Sequence, residues 1–224
     1  MNKHFSVSII EADFHVHSQY SFDSFLSPRS ITKTALKKGL SVIAVADHNT
    51  TKGALKTIEE AASTSLLVIP AIELETDAGH IMGLFVESSI KAGSIDNVLD
   101  EITEQGGIAV LLHPARMCGS KLKEAAYKID VIEALNGRTR RRENLRAQDL
   151  ALTFNKPTIA GSDAHLGFEI GCVRTIFDAS LSNLEDLRKL IINGKRMLAG
   201  KESSYIVHAL SFGTQIVKSG LRLA

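Results

Sequence analysis

The stretch SPRSITKTALKKGLSVIAVADH, residues 27–48, contains one full unit of the fold. Ser27 is a helix-capping residue, Pro28 suits the first helical position, where its missing N–H costs nothing, and Gly39 suits the left-handed residue that follows a last turn. The apolar run SVIAVAD that follows is too short for a separate helix and reads as a strand covered on both faces. A helix feeding such a strand is the unit of an α/β fold with a parallel or mostly parallel sheet.

The alternation continues in both directions. Further candidate strands are VSIIEADFHV (7–16), LLVIPAIEL (66–74), HIMGLFV (80–86), GIAVLLH (107–113), VIEALN (131–136), PTIAGSD (157–163) and CVRTIF (172–177). With SVIAVAD they make eight, a number that suits a barrel. ENLRAQDLALTFN (143–155) and LSNLEDLRKLIINGK (181–195) carry helical patterns. No linker, low-complexity block or fixed-period repeat interrupts the series, which predicts one domain over residues 1–200 and a closing C-terminal helix over 201–224 packed on it.

The 224 residues are 44% hydrophobic and 23% charged, ordinary for a globular chain, and a net charge of +1 gives no global field for nucleic acid or an anionic membrane. The expected partner is therefore small. Cys118 and Cys172 are too few for a disulfide framework or a structural zinc motif, which points to a reducing compartment. There is no membrane-spanning run, and MNKHFSVSII lacks the layout of a secretion signal, so a cytoplasmic location is expected.

The chemistry collects where the strands end. His15 and His17 close the first strand, Asp47 and His48 the second, Glu73 the third, His113 the fifth, and Asp163 with His165 the seventh. In parallel α/β architectures the carboxyl ends of the strands form the ligand-binding face. Residues two apart on a strand point the same way, so His15 and His17 can address one ion while Val16 packs into the wall. Two solvated histidines on a surface strand would give the same motif, but not the recurrence of donors at five strand ends. A thiolate-free set of imidazoles and carboxylates suits zinc, manganese or iron better than calcium or magnesium. There are more donors than one ion needs, and Glu73 is the candidate bridge. Glu75 would share its face, but ELETDAG reads as already entering a turn. His4 and His208 fall outside the pattern.

In their order along the chain, ADFHVHSQYSFDS, GLSVIAVADHNTTKG, IELET, GHIMGLF, HPAR, IEALN and GSDAH resemble the polymerase and histidinol phosphatase (PHP) domain family, and within it the stand-alone metal-dependent phosphoesterases. The resemblance implies a distorted seven-stranded β/α (TIM-like) barrel rather than eight strands, with two or three divalent metal ions at its carboxyl end. By motif it implies His15, His17, Glu73 and Asp163 around a first ion, Glu73, His80 and His113 around a second, and Asp23, His48 and His165 around a third. Asp23 departs from those members of the family that place a histidine in that loop. His80 is predicted at the start of a strand, and its alternative is a polar residue at a hairpin mouth. Asp47 either ligates or, preferred here, orients His48.

Clustered divalent ions suit phosphoester hydrolysis by a metal-bound hydroxide, and would serve another ester or an amide as well. Arg116, next to the strand-end HPA, favours phosphate because its fork matches two phosphoryl oxygens. A solvated loop arginine is the alternative. Arg138, Arg140, Arg141 and Arg142 could likewise meet phosphates or simply solvate a helix start, with Asn136 and Arg138 nearest the site. Glu133 faces either the barrel interior or the metals' surroundings. His48 or His165 would serve as general acid where the third ion is absent. The Ser162 hydroxyl is expected on a backbone partner, since GSDAH lacks a nucleophile elbow. The reading is a hydrolase of a small phosphomonoester, nucleotide or oligonucleotide end, with a non-catalytic metal-binding module as the alternative outside enzymes.

Overall fold

Nine strands run through the described residues: β1 (Ile10–Val16), β2 (Val42–His48), β3 (Leu67–Thr76), β4 (Gly79–Leu84), β5 (Ile108–Leu111), β6 (Val131–Asn136), β7 (Thr158–Gly161), β8 (Val173–Phe177) and β9 (Arg196–Gly200). The structure, a computed structural model, describes residues 9–116, 120–181 and 183–202. The expected helix over 201–224 therefore falls almost wholly outside them, as do His4, Cys118 and His208.

One sheet holds all nine strands in the order β7-β6-β5-β4-β3-β2-β1-β8-β9. β1–β2–β3 and β5–β6–β7 are parallel, whereas β4 runs antiparallel to both its neighbours. The first seven strands curl round until the chain just after β7 meets the end of β1: Val16 bridges Ala164, and the His17 N–H donates to the Ala164 carbonyl at 2.9 Å. This is a distorted seven-stranded barrel. β8 and β9, joined through a helix, extend it as an antiparallel pair along the start of β1. The sequence pattern counted eight strands and missed β9. RMLAG (196–200) is only partly buried along its length, so it lacks the apolar run by which the others are recognised.

Side-chain alternation sorts the strands into an interior and an outer layer. Ala12, Phe14, Val42, Ala44, Ala46, Ile69, Ala71, Val110 and Ile159 fill the barrel, where small residues on β2 and β3 make room for the Phe14 ring. The alternate residues face helices. Ile43, Val45 and Val68 pack on α1 (Pro28–Lys37) and α2 (Lys52–Ala61). Ile72, Ile81, Leu111 and Ile132 pack beside α3 (Ile95–Glu104), α4 (Ser120–Lys128) and α5 (Arg141–Thr153). Leu187 and Ile191 of α6 (Leu184–Asn193) join the interior cluster, and Arg188 of the same helix donates to the Gly106 carbonyl just ahead of β5. α6 thus closes the end where the strands begin. The opposite, carboxyl end stays open for polar groups. No helix among the described residues is long and apolar enough to cross a membrane.

The first helix forms as its sequence dictates. The Ser27 hydroxyl accepts from the Ser30 N–H at 3.2 Å, Pro28 occupies the first position, and Gly39 follows the cap at φ 74°.

Phe14 is fully buried and meets the Phe177 ring edge-on at 6.4 Å between centroids. Phe14→Ala should lower unfolding free energy by about 3–5 kcal/mol in urea titration. A loss below about 1 kcal/mol would contradict a packed barrel interior.

Candidate metal centre

A bulge in β1 prepares the centre. Between the pairs Asp13–Ile43 and Val16–Val45, β1 has one residue more than β2, so after Phe14 has turned inward the chain still delivers His15 and His17 to the barrel mouth with Val16 in the outer layer. Gly161 at the end of β7 lets His15 in, because a Cβ there would collide with the His15 Cβ and the Glu133 carboxylate. The two imidazoles converge, with Nε2 atoms 3.1 Å apart and each 3.2 Å from Glu73 Oε2.

Glu73, only 2% exposed, faces both ways. Its Oε2 serves His15 and His17, with His48 Nδ1 at 3.6 Å, while its Oε1 lies 2.6 Å from His80 Nδ1 and 3.5 Å from His113 Nε2. Three groups of donors result, each close enough to hold an ion: His15, His17 and Glu73; Glu73, His80 and His113; and His17, Asp23, His48 and His165. Asp163 Oδ1 stands 3.3 Å from His17 and 3.9 Å from His15, at the edge of the first group. These differ from the sets implied by resemblance in two places: Asp163 stands beside the first group rather than in it, and His17 also joins the third. The donor chemistry, buried carboxylates partnered by imidazoles without a thiolate, fits divalent transition metals.

His80 reaches the cluster because β4 is reversed. A tight turn with Gly79 at φ 98° sends the chain back from β3, so the start of β4 lies at the same end as the finish of β3, and His80 pairs with Glu75 in register. Glu75 is exposed while Glu73 is buried, although β3 continues through both to Thr76 and the chain turns only at Asp77 and Ala78. Two apart on one strand, the two acids share a face, and depth separates them, Glu75 lying nearer the exposed end of β3. His113 and Asp163 adopt positive φ values of 28° and 56° in the turns beyond β5 and β7. Such backbone conformations cost on the order of 1–3 kcal/mol each and persist where surrounding contacts over-determine them.

Buried carboxylates brace the donors from behind. Glu133 accepts from His15 Nδ1 and from the His113 N–H, both at 2.9 Å, which turns His15 Nε2 toward Glu73. It also accepts from Asn136 Nδ2, whose amide lies 3.4 Å from Asp163 Oδ2. Asp13, missed in the sequence because it is the unremarked acid of DFHVH, accepts from the N–H groups of His15, Ser162 and Gly171 and so ties both ends of the loop carrying Asp163 and His165 to β1. Ser162 Oγ stands 2.6 Å from Asp13 Oδ2, closer than the backbone partner expected of it, the His15 carbonyl at 3.2 Å. Asp47 does not orient His48. Adjacent residues on a strand face opposite ways, and Asp47 turns outward to accept from the Ser18 N–H at 2.6 Å. The His48 ring is held instead by Asp23 at 3.2 Å and by Phe22 stacked at 4.7 Å.

A cavity of about 460 Å³ opens over the cluster, lined by Phe22, Asp23, His48, His80, Arg116, Arg138 and neighbouring donors. Arg116 Nη2 lies 3.4 Å from Asp163 Oδ2 and 3.3 Å from Thr139 Oγ1, with its side chain 44% exposed. Arg140, Arg141 and Arg142 are exposed around the start of α5, while Arg138 turns into the cavity.

Burial opposes charge throughout, and at His15, His17, Glu73 and Asp163 the partners overcome it. His15 is raised well above the ordinary imidazole range by Asp163 and Glu133, and His17 to about 10 by Asp163 and Glu73. Glu73 is held well below the carboxylate range by His48, His113 and His15, and Asp163 by His15 and His17. At His113 and His165 burial prevails and lowers the imidazole.

The PHP domain profile matches residues 13–103, and the PHP-associated profile matches residues 141–195. The uncharacterised protein MJ1587 of Methanocaldococcus jannaschii is 34% identical over 140 residues, spanning 57% of this chain and 82% of that protein. A candidate metal-dependent phosphoesterase from Bifidobacterium adolescentis has the same fold, with a TM-score of 0.63 at 15% identity over 82% of this chain and 96% of that one. So has an amidohydrolase from Chromobacterium violaceum with bound sulfate and no metal, with a TM-score of 0.62 at 17% identity over 71% of this chain and 89% of the other.

Protonated His15 and His17 must lose protons before their Nε2 atoms can ligate. With His17 raised to about 10, zinc or manganese uptake at neutral pH should release at least one proton, and apparent affinity should fall as pH drops. Calorimetry in two buffers of different ionisation enthalpy tests this. Equal heats in both would contradict it.

Proposed function

The chain belongs to the PHP domain family, and from that premise we propose that it is a metal-dependent phosphoesterase acting on a small phosphomonoester, nucleotide or oligonucleotide end. The observation that carries the reading is the Glu73 carboxylate, which presents one oxygen to each of two groups of imidazoles beneath a cavity with a guanidinium at its mouth. His15, His17, Glu73 and Asp163 would hold one ion, Glu73, His80 and His113 a second, and Asp23, His48 and His165 a third. Zinc, manganese and iron all suit these ligands. When bound, such ions supply hydroxide near neutral pH and stabilise charge on phosphoryl oxygens.

The residues of the chain then divide the remaining work. Arg116 is placed to take two phosphoryl oxygens in its fork, and its contact with Asp163 fixes the guanidinium at the cavity edge. Glu133 keeps the His15 proton on Nδ1, away from the cluster. Where the third group carries no ion, His48 and His165 are the proton donors for the leaving oxygen. His48 is the better placed, because burial holds His165 toward its neutral form while His48 Nε2 lies at the cavity wall beside Asp23. Phe22, stacked on His48, gives the leaving group an apolar face.

Glu73→Ala should strip ions from the purified protein, measured by elemental analysis, and reduce phosphate release by more than the about 10- to 100-fold typical of residues that only support a ligand. Arg116→Ala should retain the ions and raise KM for an aryl phosphate, since one charge-assisted hydrogen bond is worth ~1.5–3 kcal/mol. Turnover of amides but of no phosphate ester would overturn the proposal.

A further inference from the structure

The arginine run divides at the cavity, and Arg138 is the member the mechanism has left unused. Its side chain is 15% exposed and lines the cavity together with Arg116. Behind it stands Glu169, which the sequence reading did not single out. The Glu169 side chain is fully buried, and its Oε2 accepts from the His165 N–H at 3.0 Å and the Leu166 N–H at 2.8 Å. Its Oε1 has no hydrogen-bond partner and lies 3.8 Å from Arg138 Nε. A buried carboxylate oxygen without a hydrogen bond is costly, and a nearby cation offsets that cost. Glu169 therefore anchors Arg138 by its Nε edge.

The other edge of the guanidinium has a partner it cannot always keep. Arg138 Nη1 lies 2.7 Å from His165 Nδ1, and since arginine only donates, Nδ1 must accept. The same Nδ1 lies 2.8 Å from the Asp163 carbonyl, to which it can only donate. One nitrogen cannot do both at once. If His165 ligates through Nε2, its proton resides on Nδ1 and goes to the Asp163 carbonyl, and the Arg138 Nη groups are left facing the cavity without an acceptor.

We propose that Arg138 is a second phosphate-binding arginine, acting with Arg116 on the substrate's phosphoryl oxygens, and that Glu169 is the positioning residue that holds it there. The proposal rests on the phosphoesterase reading and specifies which part of the cavity recognises the phosphoryl group. It also separates Arg138 from Arg140, Arg141 and Arg142, whose exposure around the start of α5 fits solvation.

The test compares Arg138→Ala, Arg138→Lys and Glu169→Gln with wild type in metal content, in kcat and KM for p-nitrophenyl phosphate, and in inhibition by inorganic phosphate. Arg138→Ala should keep its ions yet raise both KM and the phosphate inhibition constant by about 10- to 100-fold, the range expected for a lost charge-assisted hydrogen bond. Added guanidinium should restore part of the loss. Arg138→Lys should fall between, because it keeps the charge without the fork. Glu169→Gln should shift the same two constants in the same direction with ion content retained, which a purely structural role would not do. If KM and phosphate inhibition ignore Arg138, or if the variants lose ions and kcat instead, Arg138 serves only to hold His165 and the inference fails while the phosphoesterase reading stands. A wild type that cleaves amides but no phosphate ester would remove both.

Discussion

A carboxylate buried among five imidazoles is the constraint on which the rest of the structure depends. Glu73 has His15, His17, His48, His80 and His113 within 3.6 Å. Removing an ion from water costs several kcal/mol even after relaxation, so the Glu73 charge persists only because opposite charge surrounds it. In the protein without metal, His15 and His17, both held toward their protonated forms by the carboxylates around them, offset that charge. With metal bound, cations would replace the protons on the same nitrogens. The barrel mouth is thus built to hold positive charge, and protons and ions are alternative means of providing it.

The barrel creates the place where this is affordable. Its interior is filled by apolar side chains and closed at the far end by α6, so polar groups concentrate at the carboxyl rim, where strands from distant parts of the chain converge. Rigidity comes from behind the donors. Glu133 and Asp13 are fixed by backbone N–H groups and buried neighbours, and they tie β1, β6 and the loop after β7 together. The positive φ values at His113 and Asp163 fall at donors, where strain maintained by the surrounding packing aims a side chain that ordinary backbone would send elsewhere.

Much of this could be read from the residues. The strands with apolar runs were legible because burial on both faces leaves a contiguous signal, and the donors were legible because they recur at the ends of those runs. β9 was not, since a half-exposed edge strand has no such run. The reversed direction of β4 was also hidden, and with it the reason that His80 joins the cluster from the start of a strand. Asp47 obeys strand alternation rather than its proximity in sequence: next to His48 on β2, it faces the other way. Asp13 and Glu169 left no signal at all. Single acids in DFHVH and LGFEIG acquire meaning only when the loop after β7 folds back onto β1 and sets their carboxylates against its N–H groups.

The central claim is that these side chains converge to hold ions. Anomalous diffraction from crystals grown with manganese or zinc tests it most directly. The account predicts at least two anomalous peaks, one on each side of the Glu73 carboxylate, bounded by His15 and His17 on one side and by His80 and His113 on the other. A map with no peak beside Glu73, or with peaks only at surface carboxylates, would contradict it.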